Sequence, residues 1–190
     1  QQSVDHPDAT DYLEKDPAEL MLWRRNVTRL KAEQLRDAML AASGELDSQI
    51  GGPSVDANTP RRALYVKIKR NSPDPLLHAF DVANGLTSVS QRTSTTTPTQ
   101  ALLMINGDYV LGRATKLGGR MRNCGEATCA GALTHGFRLA WSRNPSDEEL
   151  KRALDFIGVA AEADPKEMIS ERLIDFSHVL LNSNEFLYVD

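Results

Sequence analysis

Thr97-Pro98-Thr99-Gln100-Ala101-Leu102-Leu103-Met104-Ile105 is the stretch that decides the fold class. Thr97 and Gln100 stand at capping-box spacing, where each side chain satisfies the other residue's backbone N–H. Pro98 falls at the first helical position, where a missing N–H costs nothing. From Ala101 to Ile105 every residue is apolar, so this helix is expected to be buried all round, at the centre of the core. Ser146-Asp147-Glu148-Glu149 repeats the device and predicts a helix to about Ala161 through Leu150, Leu154 and Ile157. Asp164-Pro165-Lys166-Glu167 repeats it again and predicts a final helix to about Leu181 through Ile169, Leu173, Phe176 and Leu180. Three helix starts of one chemistry predict a mainly α chain, an irregular bundle of about five to seven helices.

The intervening segments fit that frame. Leu35, Met39, Ala42 and Leu46 form one helical stripe over about Thr28 to Ala42, with Gly44 as its stop. Val110, Ala114, Leu117 and Met121 mark a second stripe from about Tyr109 to Arg122, and Leu133, Phe137 and Trp141 a third within about Glu126 to Ser142. Asn71-Ser72-Pro73-Asp74-Pro75 opens one or two helical turns carrying Leu76, Leu77 and Phe80. Only residues 63–69 read otherwise: Leu64, Val66 and Ile68 alternate with Tyr65, Lys67 and Lys69, which predicts one short extended or strand segment. Residues 1–16 are polar and Asp-rich and read as an extended arm or linker, leaving 17–190 as a single helical domain. Residues 87–99 hold nine Ser or Thr in thirteen positions and read as an ordered loop feeding the helix at Pro98. The ending is too apolar to hang free, so Phe186, Leu187 and Tyr188 are expected to dock on the bundle.

Composition excludes several classes. The chain has 190 residues, 41% hydrophobic and 25% charged, which is a globular balance. Twenty-two Lys and Arg against 26 Asp and Glu give a net charge of −4. No cationic field exists to hold a phosphate backbone, so nucleic acid is not an expected partner. No run approaches the ~18 consecutive apolar residues of a membrane span, so no membrane insertion is expected. Cys124 and Cys129 are five apart; on one continuous helix they would diverge by about 140°, so a disulfide between them requires the helix to begin after Gly125. There is no Cys-x-x-Cys-His for covalent haem, no Gly-x-Ser-x-Gly, no phosphate-binding glycine loop and no His-Glu-x-x-His. His6, His78, His135 and His178 are scattered, without ligand spacing, so neither catalytic residues nor a metal site are assigned.

Two polar groups are candidates for binding. Arg25, Arg29, Glu33, Arg36 and Asp37 lie on the first long helix, with Glu33 and Asp37 four apart on one face. They suit either a carboxylate pair with a cationic clamp or an ion-pair ladder locking the helix to its neighbours; charged helix faces favour the ladder. Arg61, Arg62, Lys67, Lys69, Arg70 and Asn71 form a basic stretch that suits either an anionic glycan, with Tyr65 as stacking face, or a charge-protected edge strand. A ligand site built from both would draw on Arg29, Glu33, Arg36, Asp37, Arg62, Arg70, Asn71 and Asn184. The deciding question is whether these residues meet in an open pocket or in a closed, mutually satisfied network.

Trp23-Arg24-Arg25-Asn26, Arg29-Leu30, Glu33, Arg36-Asp37 and Ser43-Gly44-x-Leu46-Asp47 resemble a known family. So do Gly51-Gly52-Pro53, Leu64-Tyr65, Lys69-Arg70-Asn71-Ser72, Phe80-Asp81, Thr97-Pro98-x-Gln100-Ala101-Leu102, Phe137-Arg138 and Leu181-Asn182-Ser183-Asn184-Glu185-Phe186. The family is the planctomycete-specific C-terminal domain of unknown function found in large exported bacterial proteins. Asn106-Gly107-Asp108 departs from the Asn-Asp-Pro helix start common there, and the cysteine pair is peculiar to this chain. The resemblance implies the second half of that domain, an extracytoplasmic setting at the periplasm or cell surface, and a parent protein with a planctomycete cytochrome c-type domain upstream. No cofactor is then expected in this chain, haem belonging to the upstream domain, and the partners are the parent's upstream domains. The same setting favours oxidation of Cys124 and Cys129. A non-catalytic interaction module is the reading this favours; a domain that binds or acts on anionic, sulfated polysaccharide is the alternative.

Overall fold

The computed structural model describes residues 8–17, 21, 27–69, 71–82 and 95–189. Leu20, Leu22-Trp23, Arg25, Arg70 and the Ser/Thr-rich run before Thr95 lie outside these residues. Among the described residues the chain is mainly helical, as expected, with one two-stranded antiparallel sheet.

In chain order the elements are α1 (Ala9–Lys15), β1 (Thr28–Arg29), α2 (Ala32–Ser43), a 3-10 turn (Ala63–Tyr65), α3 (Pro75–Ala79) and α4 (Pro98–Asn106). They continue with α5 (Asp108–Arg122), α6 (Cys129–Trp141), α7 (Asp147–Ile157), a second 3-10 turn (Pro165–Glu167), α8 (Ser170–Asn182), α9 (Asn184–Leu187) and β2 (Tyr188–Val189). The core is built on α5, whose Val110, Ala114, Leu117 and Met121 are fully buried and pack on α2, α6 and α8. Leu35, Met39, Leu133, Leu173, Leu180 and Leu181 close around them. The tail docks as predicted: Phe186 and Leu187 are buried, and Tyr188 packs on the core.

Capping chemistry places the helix starts. Thr97 and Gln100 form the reciprocal box that starts α4, and Ser146 and Glu149 the one that starts α7. Gly107 joins α4 to α5 where a Cβ would sit 2.4 Å from the Leu103 carbonyl oxygen, so the junction has no room for a side chain.

Five local expectations are corrected. Part of the arm expected to be extended over 1–16 forms α1, closed by Lys15 on Asp11 one turn earlier. The first long helix begins at Ala32, because Thr28 and Arg29 pair instead with Val189 and Tyr188. The stretch 63–69 is extended only beyond its 3-10 turn, and Val66 makes a single bridge to Val55. Asp164 caps a 3-10 turn by accepting from the Lys166 N–H, and α8 starts separately at Ser170. α4 is buried on one side only: Gln100 and Met104 are buried, while Leu102 and Ile105 are 60% and 54% exposed.

Candidate functional site

The polar residues of α2 close on the loop that follows it. That loop, residues 45–62, runs past Gly51-Gly52-Pro53 with almost no ladder of its own, so its carbonyls need outside donors. Arg36, the largest fully buried side chain, supplies them. Its Nη1 donates to the Arg61 carbonyl at 2.7 Å, and its Nη2 to those of Ala57 and Thr59 at 2.8 and 2.7 Å. Asp37 accepts from the Ala63 N–H at 2.7 Å and lies 3.4 Å from Arg36 and 3.9 Å from the largely exposed Arg62. Arg61 completes the clamp. It donates to the carbonyls of Gln49, Gly51 and Pro53, and its guanidinium stacks 4.1 Å from the Tyr65 ring centroid, while the Tyr65 hydroxyl accepts from the Gly51 N–H. A planar guanidinium with five fixed donors can serve several carbonyls at once, which an ammonium cannot.

A neighbouring cluster extends the network onto α5. Glu45 accepts from the Ser43 hydroxyl and lies 2.9 Å from Arg113 Nε, close enough for an ion pair though not aligned for a hydrogen bond. The guanidinium groups of Arg113 and Arg36 lie 4.9 and 5.9 Å from the Tyr109 ring centroid. Burial pushes the Tyr109 hydroxyl above its ordinary pKa, and both cations oppose the shift. That hydroxyl is buried without a hydrogen-bond partner.

The other sequence candidates lie elsewhere. Arg29 donates to the Gln100 side-chain oxygen at 2.5 Å and rests 4.8 Å from the Phe80 centroid, while Gln100 donates to the Ala79 carbonyl, so these residues tie β1, α3 and α4 together. Glu33 is half-buried near the start of α2, and Asn71 is exposed before α3. Arg70 lies outside the described residues. Asn184 lines a different feature, an open groove of about 750 Å³ walled by Val27, Leu30, Ala38, Ala140, Trp141 and Tyr188. Thus Arg36, Asp37 and Arg62 come together in a closed network, and Arg29 and Asn184 make their contacts apart from it. Cys124 and Cys129 are free thiols, so the disulfide considered from sequence is not formed. Cys129 is buried against the Asp164 carbonyl, and burial first, then Glu167 and Asp164, push its thiol pKa up.

Sequence reasoning missed a second clamp, at the groove's edge. Arg143 bridges two carboxylates: Nη1 and Nη2 donate to Glu149 at 2.8 and 2.7 Å, and Nε and Nη2 to Glu185 at 2.5 and 2.8 Å. Its guanidinium also lies 5.1 Å from the Trp141 centroid. The Arg143 hydrogen bonds hold Glu149 at about 2 and raise the guanidinium's own pKa further. Half of this was visible in sequence, since Glu149 is the capping-box acid of α7; that Glu185 arrives from the far end of the chain was not.

Among the described residues no group of three His, Cys, Asp or Glu side chains could hold a metal, and no helix is long and apolar enough to cross a membrane. The sequence holds no Cys-x-x-Cys-His, and among the described residues Cys129 faces the Asp164 carbonyl and His178 Nε2 engages the Met104 carbonyl.

A mainly helical chain with a guanidinium-fastened polar network is the class these features define. Residues 1–157 match the family described as PSD1, protein of unknown function (DUF1553), and the chain belongs to that family. No curated protein and no solved structure matches it.

Proposed function

We propose that this chain is a non-catalytic helical module of a multidomain, cytochrome c-associated cell-envelope protein of planctomycete type, acting in interdomain or protein interaction. In this reading haem resides in an upstream domain, the chain itself works outside the cytoplasm, and the partners are the parent's other domains. The observation that carries the non-catalytic part is how far the network closes: Arg36 and Arg61 commit their Nη atoms to six loop carbonyls, Asp37 accepts a backbone N–H, and only the buried Nε of each arginine is left without a partner. Groups so engaged have little left for a substrate. Support for an interaction role comes from apolar surface left open: the walls of the groove beside Trp141 and Tyr188, and the outer face of α4.

The test is titration with sulfated and uronic acid oligosaccharides, followed by amide chemical shifts. The module reading predicts no saturable shift at Arg36, Asp37, Arg61 or Arg62. Saturable shifts there, or turnover of the oligosaccharide, would establish the polysaccharide reading in its place.

A further inference from the structure

Arg61 holds an isoleucine in water. Its Nη2 donates to the carbonyls of Gln49 and Gly51, one on either side of Ile50, and the Gly51 N–H donates to the Tyr65 hydroxyl. Ile50 is 90% exposed with both flanks fixed. The segment bonded to that loop is open in the same way: the Lys67 N–H donates to the Val55 carbonyl, and Leu64 and Ile68 are 76% and 57% exposed. Charge gathers at the same place. From Ala57 to Pro73 stand Arg61, Arg62, Lys67, Lys69 and Arg70, and no acid. Residues 47–69 hold the first four of these against Asp47 and Asp56, a local positive surplus in a chain of −4. Asp56 pairs with Lys69 at 2.8 Å, Asp37 lies 3.9 Å from Arg62, and Asp47 accepts the Gln49 N–H. Lys67 is exposed and has no counter-ion among the described residues.

We propose that residues 50–69 make a peripheral contact with an anionic lipid bilayer, in which Ile50, Leu64 and Ile68 enter the interface while Lys67 and Lys69 meet headgroup phosphates. This goes beyond the interdomain reading. The bilayer is added to the parent's domains, which keep the groove and the outer face of α4, and no part of the chain crosses it. Chemistry chooses the occupant. A surface both basic and aliphatic fits a partner with anions outside and hydrocarbon beneath, and a sulfated polysaccharide offers the first without the second. Shape agrees. The three aliphatics stand on separate stretches of backbone, where a protein partner must match each protrusion at interior packing density and a fluid bilayer closes around them. Lysine stems lie along apolar surface while their ammonium groups stay at headgroup level. Range removes the objection from net charge. Salt screens charges beyond about 8 Å, so the local surplus governs the contact. With few cations, each worth about fivefold in partitioning, binding is weak and reversible.

Flotation of the whole chain with vesicles of phosphatidylcholine and phosphatidylglycerol in equal parts tests this. The expected result is reversible binding at low salt that added salt weakens and that phosphatidylcholine alone does not support. Lys67→Glu weakens partitioning by at least about fivefold, the worth of one basic residue. Ile50→Ser weakens it by at least about fivefold, since more than one buried methylene is lost. Both side chains are exposed, so circular dichroism and melting temperature stay as in the parent chain. Lys151→Glu, the same change of charge on α7, alters partitioning by less than about twofold. Absence of binding to the anionic vesicles overturns the proposal, as does binding indifferent to Lys67→Glu or to Ile50→Ser, or lost equally with Lys151→Glu. Binding of a sulfated oligosaccharide through Lys67 without binding of vesicles overturns it as well. Failure of the module reading registers separately, as oligosaccharide binding at the Arg36 network.

Discussion

Two loose parts of this chain are each held down by arginine, and by different physics. The loop after α2 is pinned by Arg36 and Arg61, whose acceptors are almost all neutral carbonyls, and Arg36 is fully buried. The C-terminal tail is pinned by Arg143, about a third exposed, whose acceptors include two carboxylates. Where a guanidinium is desolvated, its worth lies in the number of carbonyls it satisfies, and losing it strands all of them. Where it stays wet, its worth is an ion pair that water and salt discount. The first clamp is expected to be strong and indifferent to salt and pH, the second modest and sensitive to both.

Arg36→Met is the harshest way to break the contrast. Three carbonyls, that of buried Arg61 and those of half-buried Ala57 and Thr59, lose their donor, and equilibrium denaturation should show a loss of about 3 kcal/mol or more. Arg61→Ala should cost about 2 kcal/mol, because its guanidinium serves the outer part of the same loop and is replaced there partly by water. Native-state hydrogen exchange should place that loss between residues 49 and 62, leaving α5 and α8 as protected as before.

Arg143→Ala should cost about 1 kcal/mol, the scale of a partly exposed ion pair, seen as faster exchange at Phe186 and Leu187. Its pH dependence follows from Glu149, held at about 2 in the fold against an ordinary 4.5. A carboxylate with a depressed folded-state pKa stabilises above its unfolded value, and that contribution is lost as pH falls from about 4.5 through about 2. Acid titration of stability should show this loss in the parent chain and a shallower one in Arg143→Ala. Raised salt should likewise weaken the parent's tail clamp and leave the Arg36 clamp unchanged. The smallest effect is expected at Val27→Ser, an exposed wall of the groove, within about 0.5 kcal/mol of the parent chain.

Much of the fold was legible because helix caps are local. Thr97 with Gln100 and Ser146 with Glu149 carry their partners within four residues, and both helices start where those residues say. What failed was non-local. Thr28-Arg29 reads as helix until Tyr188-Val189 arrives from the other end of the chain to pair with it. Leu64-Tyr65-Val66 reads as strand, but its neighbour is a clamped loop that offers Val66 one bridge, so no ladder grows. α4 was misread because composition reports what a helix could bury, not how many neighbours the chain supplies.

The site was legible in kind and illegible in geometry. The ladder expected along α2 is a fastening, yet its acceptors are carbonyls rather than the acids four residues away, and periodicity says nothing of a loop's unpaired oxygens. Arg61 stood in the basic stretch beside Arg62, and no sequence signal told the buried arginine from the exposed one. The twelve residues between Ser48 and Arg61, rich in Gly and Pro and short of partners of their own, were the available hint that donors must come from elsewhere.

The central claim is that the arginines of α2 and its loop fasten the fold and do not hold a ligand. Arg36→Lys tests it most directly, because it keeps the charge and removes the fork. Measured by amide hydrogen exchange, the account predicts exchange at Asp47, Val55 and Ala63 faster by at least about tenfold, with α5 and α8 unchanged. Unaltered exchange at those three amides in a folded Arg36→Lys chain would contradict it.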